Sequence, residues 1–173
     1  MGKEAIDFIK DNLNLIDSND FGKFYLNVPL NYRGDVTSLL LEADIDPLKY
    51  TDSVPAHYLG YQDNIESINI PDNIKSIGVQ AFLNCSSLTH VTIGDSVTSI
   101  GKYAFKGCSK LTSITIPDSV TGIGYGTFSG CTSLKTLNYN GTKSQWNAAD
   151  LHSIWKDDSL LETIHCIDGD IEI

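Results

Sequence analysis

The sequence lacks nearly every pattern by which a reaction is recognised. No CxxC, HxxxH or HExxH spacing is present to gather metal ligands, and no GxGxxG or GxxxxGK(S/T) run is present to cradle a phosphate. The four histidines, His57, His90, His152 and His165, are dispersed along the chain. His165 and Cys166 are adjacent, so on a strand their side chains point to opposite faces and cannot close on one ion. Basic residues are also scarce, 12 Lys and Arg against 22 Asp and Glu, for a formal charge of −10. Neutralising a phosphate backbone needs the reverse balance, so direct nucleic-acid binding is disfavoured. No run of 18 apolar residues is long enough for a membrane-spanning helix. The opening MGKEAIDFIKDN has neither the basic start nor the apolar core of a secretory signal, so a cytoplasmic location is expected. No catalytic residue, cofactor site or metal site is predicted, and the chain is not expected to be an enzyme.

What is present is a repeat. Residues 65–133 divide into three 23-residue units, Ile65–Ser87, Leu88–Lys110 and Leu111–Ser133. A fixed period in this range marks stacked coils. Ile114 and Ile116 alternate with polar Thr115, the period of a half-buried strand, and the same holds at 68–70 and 91–93. Pro71-Asp72, Gly94-Asp95 and Pro117-Asp118 break that strand, and a second short strand is expected over residues such as Val120–Ile123. Gly78, Gly101 and Gly124 mark the next bend. A compact corner follows, such as YAFKGC at 103–108, expected to resemble one helical turn. Phe82, Phe105 and Phe128 form one apolar column, and Cys85, Cys108 and Cys131 another. Parallel neighbours in a column have poor geometry for a disulfide, so these cysteines are expected to be buried small apolar residues.

The flanks differ from the repeats in charge. Residues 1–64 hold 5 basic and 11 acidic side chains, residues 65–133 hold 4 and 4, and residues 134–173 hold 3 and 7. Three regions follow: a helical N-terminal cap over 1–64, the repeats over 65–133, and a strand–helix–strand C-terminal cap over 134–173. Within the first, helices are expected over 1–17 and over 35–46, where Asp46-Pro47 closes the last; in 21–33, Phe21, Phe24, Tyr25 and Val28 suit a short helix, the reading taken, and Phe24, Leu26 and Val28 a strand, with Pro29 ending either. A degenerate half-unit places Val54 over Ile77 and Leu59 over Phe82. In the C-terminal cap, Thr142 and Gln145 have capping-box spacing for a helix carrying Trp146, Ala149 and Leu151, and a final strand is expected over Thr163–Ile167.

The segments SINIPDNIKSIGVQAFLNC, VTIGDSVTSIGKYAFKGC and SITIPDSVTGIGYGTFSGC resemble the BspA-type leucine-rich repeat family. The resemblance implies a repeat solenoid, mainly β with short corners, wound as a leucine-rich-repeat-like right-handed coil between an α-helical N-terminal cap and a mixed α/β C-terminal cap. The run YNGTKSQWNA…TIHCIDGDI resembles the C-terminal cap of such repeats, and residues 35–60 are similar to leaders that precede them in phage and mobile-element proteins. These resemblances imply a non-catalytic protein–protein interaction module, encoded by a phage or related element. The implied partner is a host protein, and inhibition of a host defence system is one such role. A surface or virion adhesin for host protein or glycan is the alternative.

Candidate partner-binding residues are those the scaffold does not demand. Within the repeats these are His90, Lys102, Tyr103, Lys106 and Tyr125, which vary between units. In the N-terminal region they are Tyr32, Arg33, His57, Tyr58 and Tyr61. The Thr and Ser rows on the strands are small and polar, which suits a solvated β-face.

Overall fold

The computed structural model describes Thr37, Leu40 and residues 46–173. The expected helices over 1–17 and 21–33, and candidates Tyr32 and Arg33, lie outside the described residues. Thr37 and Leu40 are helical and buried, and Leu40 joins the core.

The chain winds as a mainly β solenoid of about five turns. Each coil contributes one short strand to a five-stranded parallel sheet: β1 (Ser53–Val54), β3 (Ser76–Ile77), β5 (Ser99–Ile100), β7 (Gly122–Ile123) and β9 (Asp150–Leu151). The longer strands are β2 (Ser67–Ile70), β4 (His90–Ile93), β6 (Ser113–Ile116) and β8 (Thr136–Tyr139), and they form the opposite wall. In-register pairs fall 23 residues apart, Ser67 on His90, Ser76 on Ser99 and Ser113 on Thr136. The strands alternate exposed and buried residues, so the isoleucines and valines of each coil roof those of the next. Val54 pairs with Ile77, which makes the half-unit before residue 65 a true coil of the stack.

The long-strand wall has one discontinuity. β2 pairs with β4, and β6 pairs with β8, but β4 and β6 lie side by side without a closed ladder. Just past β4, the Gly94 N–H donates to the Ile70 carbonyl at 2.8 Å. Its equivalent past β6 is Pro117, which has no N–H to give, so the ladder loses its closing bond there. Gly94 replaces proline for a second reason. A Cβ at that position would stand 2.7 Å from a carboxylate oxygen of Asp72, and that oxygen accepts from the Asp95 N–H at 3.0 Å.

The third side of each coil is the corner, and it is not a helical turn. Every other amide reaches across to the next coil: Gln80, Phe82 and Asn84 donate to the carbonyls of Lys102, Ala104 and Lys106, and Tyr103, Phe105 and Gly107 donate to Tyr125, Thr127 and Ser129. Two residues per corner take left-handed backbone, at φ 57° and 66° for His57 and Tyr61, and at 57° for both Gln80 and Asn84. The series continues at Tyr103 and Gly107, then at Gly126 and Gly130. The alternate amides bond back within the corner, Ala81, Leu83 and Cys85 donating to the carbonyls of Gly78, Gln80 and Phe82, so local turn bonds alternate with coil-to-coil bonds.

The aromatic column is a continuous core spine. Phe82 stacks on Phe105 at 5.1 Å and Phe105 on Phe128 at 5.7 Å, all three fully buried. Tyr58 closes one end edge-on to Phe82 at 5.9 Å, and Trp155 closes the other edge-on to Phe128 at 5.9 Å. Trp146 then packs on both Trp155 and Tyr139. The spine ends on rings turned perpendicular to it, so no flat aromatic face is left bare within it.

The ends differ in detail from expectation. Asp46, expected to close a helix, opens the next turn. Its side chain accepts from the Leu48 N–H at 2.9 Å and so caps a short 3₁₀ turn, Pro47–Tyr50. Asn73 of the first full unit holds that turn by donating to the carbonyls of Leu48 and Thr51, both at 2.8 Å. At the other end, helix α1 (Lys143–Ala148) carries the expected capping box, with Thr142 accepting from the Gln145 N–H and Gln145 from the Thr142 N–H. It stops before Leu151, which instead enters β9 beside Ile123. The terminal strand β10 (Thr163–Cys166) pairs parallel with β8 and antiparallel with β11 (Gly169–Glu172), a strand the residue pattern did not announce.

Candidate interaction surface

The fold sorts the candidate residues onto three sites. Tyr58 is not a surface residue: it is fully buried against Phe82, with its hydroxyl 3.5 Å from Asp46. The repeat register explains this, since Tyr58 falls 23 residues before Ala81, in the buried column of Ala81, Ala104 and Thr127. His57 is half-buried beside it, and Tyr61 is 64% exposed at the first corner. His90 is exposed on the long-strand wall, paired across to Ser67, with Thr92 at 3.4 Å. It stands apart from the others.

Lys102, Tyr103, Lys106 and Tyr125 do come together, on the corner side. The Lys106 ammonium lies 4.9 Å from the centroid of the Tyr103 ring, a cation–π contact. Tyr103 meets Tyr125 edge-on at 5.2 Å, and Tyr125 meets His152 edge-on at 5.0 Å. The Tyr103 ring lies over the backbone of Gly126, where a Cβ would stand 2.7 Å from it. The backbone strain at Tyr103 is not peculiar to this cluster, because Gln80 and His57 share its φ at the same corner position.

The ladder also defines a row across the coils. His57, Gln80, Tyr103 and Gly126 donate to the carbonyls of Val79, Lys102, Tyr125 and Ile154, which are therefore equivalent positions. Val79 is 44% exposed and Ile154 37% exposed, each at one end of the row. His152 and Ile154 were not among the candidates. Their coil is displaced in register, since Gly122 pairs with Asp150, 150 − 122 = 28 positions on, where other pairs are 23 apart. Helix α1 supplies the extra residues and hides the row from the 23-residue period.

The cysteine column offers no chemistry. Each thiol donates to a carbonyl of the preceding coil: Cys85 to Leu59 at 3.0 Å, Cys108 to Phe82 at 3.2 Å and Cys131 to Phe105 at 3.1 Å. Burial pushes the Cys85 and Cys131 thiols up to about 12, and Cys108 is raised in the same direction by the same cause. The thiolate is the reactive form, so these groups are inert at neutral pH. A water-soluble thiol reagent is expected to label native protein only at Cys166, which is partly exposed. Mass spectrometry after labelling at pH 8 checks this; the other three should react only with denaturant present. Buried Thr127 is likewise accounted for, donating to the carbonyls of Gly124 at 2.8 Å and Gly101 at 3.2 Å. Among the described residues no group of three or more His, Cys, Asp or Glu could hold a metal ion, and no helix is long and apolar enough to cross a membrane.

Residues 53–150 match the model of the BspA type leucine rich repeat region, in six copies. The chain is similar to a leucine-rich repeat protein of T. pallidum, with 21% identity, a TM-score of 0.42 and coverage of 50% of this chain and 51% of that one. It is also similar to a leucine-rich cell surface protein of Faecalibacterium prausnitzii A2-165, with 32% identity, a TM-score of 0.40 and coverage of 60% and 33%. The chain thus spans about half and one third of the lengths of these two proteins. No curated protein matches it.

Proposed function

This chain belongs to the BspA-type leucine-rich repeat family, and we propose that it is a non-catalytic protein–protein interaction module whose partner binds at the corner row. The observation that carries this reading is the gathering of Tyr103, Tyr125 and His152, with two lysines, on a rigid scaffold that does not itself require them. Tyrosines of this kind bind well because a large ring is immobilised at small entropic cost. Here each ring is already held by its neighbours, so even less is lost on docking. The solvated Thr and Ser strand wall offers no comparable anchor.

The finer proposal is that the chain acts inside a bacterial cell, encoded by a phage or mobile element, and that its partner is a host protein, such as a component of a defence system. The similarity of residues 35–60 to phage-type leaders supports that origin. The test is capture from a bacterial lysate on the immobilised full chain, with Tyr103→Ser/Tyr125→Ser and His90→Ala in parallel. One protein retained by the parent and by His90→Ala, and lost by at least tenfold from the double variant, is the expected result. Retention by all three would move the interface off the corner row. Accessibility of the chain to antibody on intact cells would replace the intracellular reading with the adhesin one.

A further inference from the structure

We infer that the corner row docks a short acidic segment of a partner polypeptide, extended across the coils with an apolar side chain at its end. The inference rests on the interaction-module reading above and adds to it the chemistry of the ligand.

The first support is the sorting of charge within the repeats. Residues 65–133 are neutral overall, but the corner segments 78–87, 101–110 and 124–133 contain Lys102, Lys106 and Lys110 and no Asp or Glu. The balancing acids Asp72, Asp95 and Asp118 sit in the turns after the long strands, exposed in a column of their own. A chain of charge −10 thus presents a corner side whose three central coils carry only cations, while the end coils bring exposed Asp63 at one end and Asp157 and Asp158 at the other. Lys102, Lys106 and Lys110 are all exposed, and no salt bridge holds them among the described residues. Their charge is free for a ligand.

The second support is shape. Val79, Lys102, Tyr125 and Ile154 occupy successive coils about 4.8 Å apart, so the row is about 14 Å long. An extended peptide rises about 3.3 Å per residue, so four or five residues cover it. Carboxylates at the centre would meet Lys102 and Lys106, while Val79 or Ile154 would take an aliphatic or aromatic side chain at one end. A long polyanion is the poorer occupant. Three lysines would neutralise only a few of its charges, and the acidic flanks on either side of the repeats would repel the rest.

The full chain is tested against an mRNA-displayed library of random dodecapeptides, and the enriched peptide is then titrated by fluorescence anisotropy. Lys102→Glu/Lys106→Glu is compared with Lys135→Glu, a charge reversal at an exposed site outside the corner. Circular dichroism checks that each variant is folded. The expected outcome is enrichment of peptides with two or more Asp or Glu next to a Leu, Phe or Tyr. Their affinity should fall at least tenfold in the double variant and less than twofold in Lys135→Glu, and it should be lost when the acids become amides. Enrichment of neutral or basic peptides, or equal affinity for both variants, would overturn the inference and leave the module reading standing. No enrichment at all would overturn both.

Discussion

Replacing Phe105 by alanine is expected to lower the free energy of unfolding by about 3–5 kcal/mol. Phe105 is fully buried and stacked on both faces, 5.1 Å from Phe82 and 5.7 Å from Phe128. Truncation therefore removes two ring contacts as well as its own buried area. The cavity has little means of collapsing. The corner backbone around it is tied to the coils on either side by the amides of Phe82, Phe105 and Gly107, so the walls cannot move in without breaking that ladder. In a stack, each coil touches only its neighbours, and a defect at the centre weakens two interfaces at once. Equilibrium denaturation followed by circular dichroism and by the fluorescence of Trp146 and Trp155 measures the loss. Phe105→Leu, which keeps most of the volume, should recover at least half of it. A loss below 1 kcal/mol for the alanine variant would mean that the ring spine is not what holds the coils together.

The spine was legible in the sequence because burial of a repeated column imposes a repeated residue. The same logic covers the cysteines and the isoleucines of the strands, while the capping box at Thr142 and Gln145 was legible from its local spacing. Tyr58 was legible too, since the same register that sets Leu59 over Phe82 sets Tyr58 over Ala81. It occupies the alanine column, and it is large only because that coil is the one on which the phenylalanine stack ends. Other features left no readable trace. The left-handed corner positions are filled by Gln80, Asn84 and Tyr103 in two coils and by glycine at Gly107, Gly126 and Gly130, so the backbone requirement has no consistent residue. The binding candidates were half legible. Variation between units exposed Tyr103 and Tyr125, whereas His152 and Ile154 became their neighbours only through a coil whose register is shifted by α1.

Gly101→Val is expected to cost about 3 kcal/mol, at the upper end of overpacking effects. The sequence suggests that Gly78, Gly101 and Gly124 serve a bend, but the structure assigns them a different role. A Cβ on Gly101 would stand 2.8 Å from the carbonyl carbon of Gly78, 2.9 Å from the Ile77 oxygen and 2.9 Å from the Val79 nitrogen. All three are backbone atoms of the preceding coil, which cannot rotate aside as a side chain would. The Gly101 N–H donates to that same Ile77 carbonyl at 2.8 Å, so a wedge here opens the bond that sets the coil spacing. Gly122 is the contrasting case, because its nearest neighbour to a new Cβ is the Asp150 oxygen at 3.9 Å. Gly122→Ala should therefore be neutral or stabilise by about 0.5 kcal/mol, through the narrower unfolded ensemble. The two substitutions thus differ in sign for one physical reason, the distance to the neighbouring coil, and thermal denaturation of the pair reads it directly. Gly101 also precedes Lys102 and Tyr103, so the same wedge should displace the corner row. If Gly101→Val kept full stability and full peptide affinity, close coil-to-coil approach would not be what sets the spacing of that row.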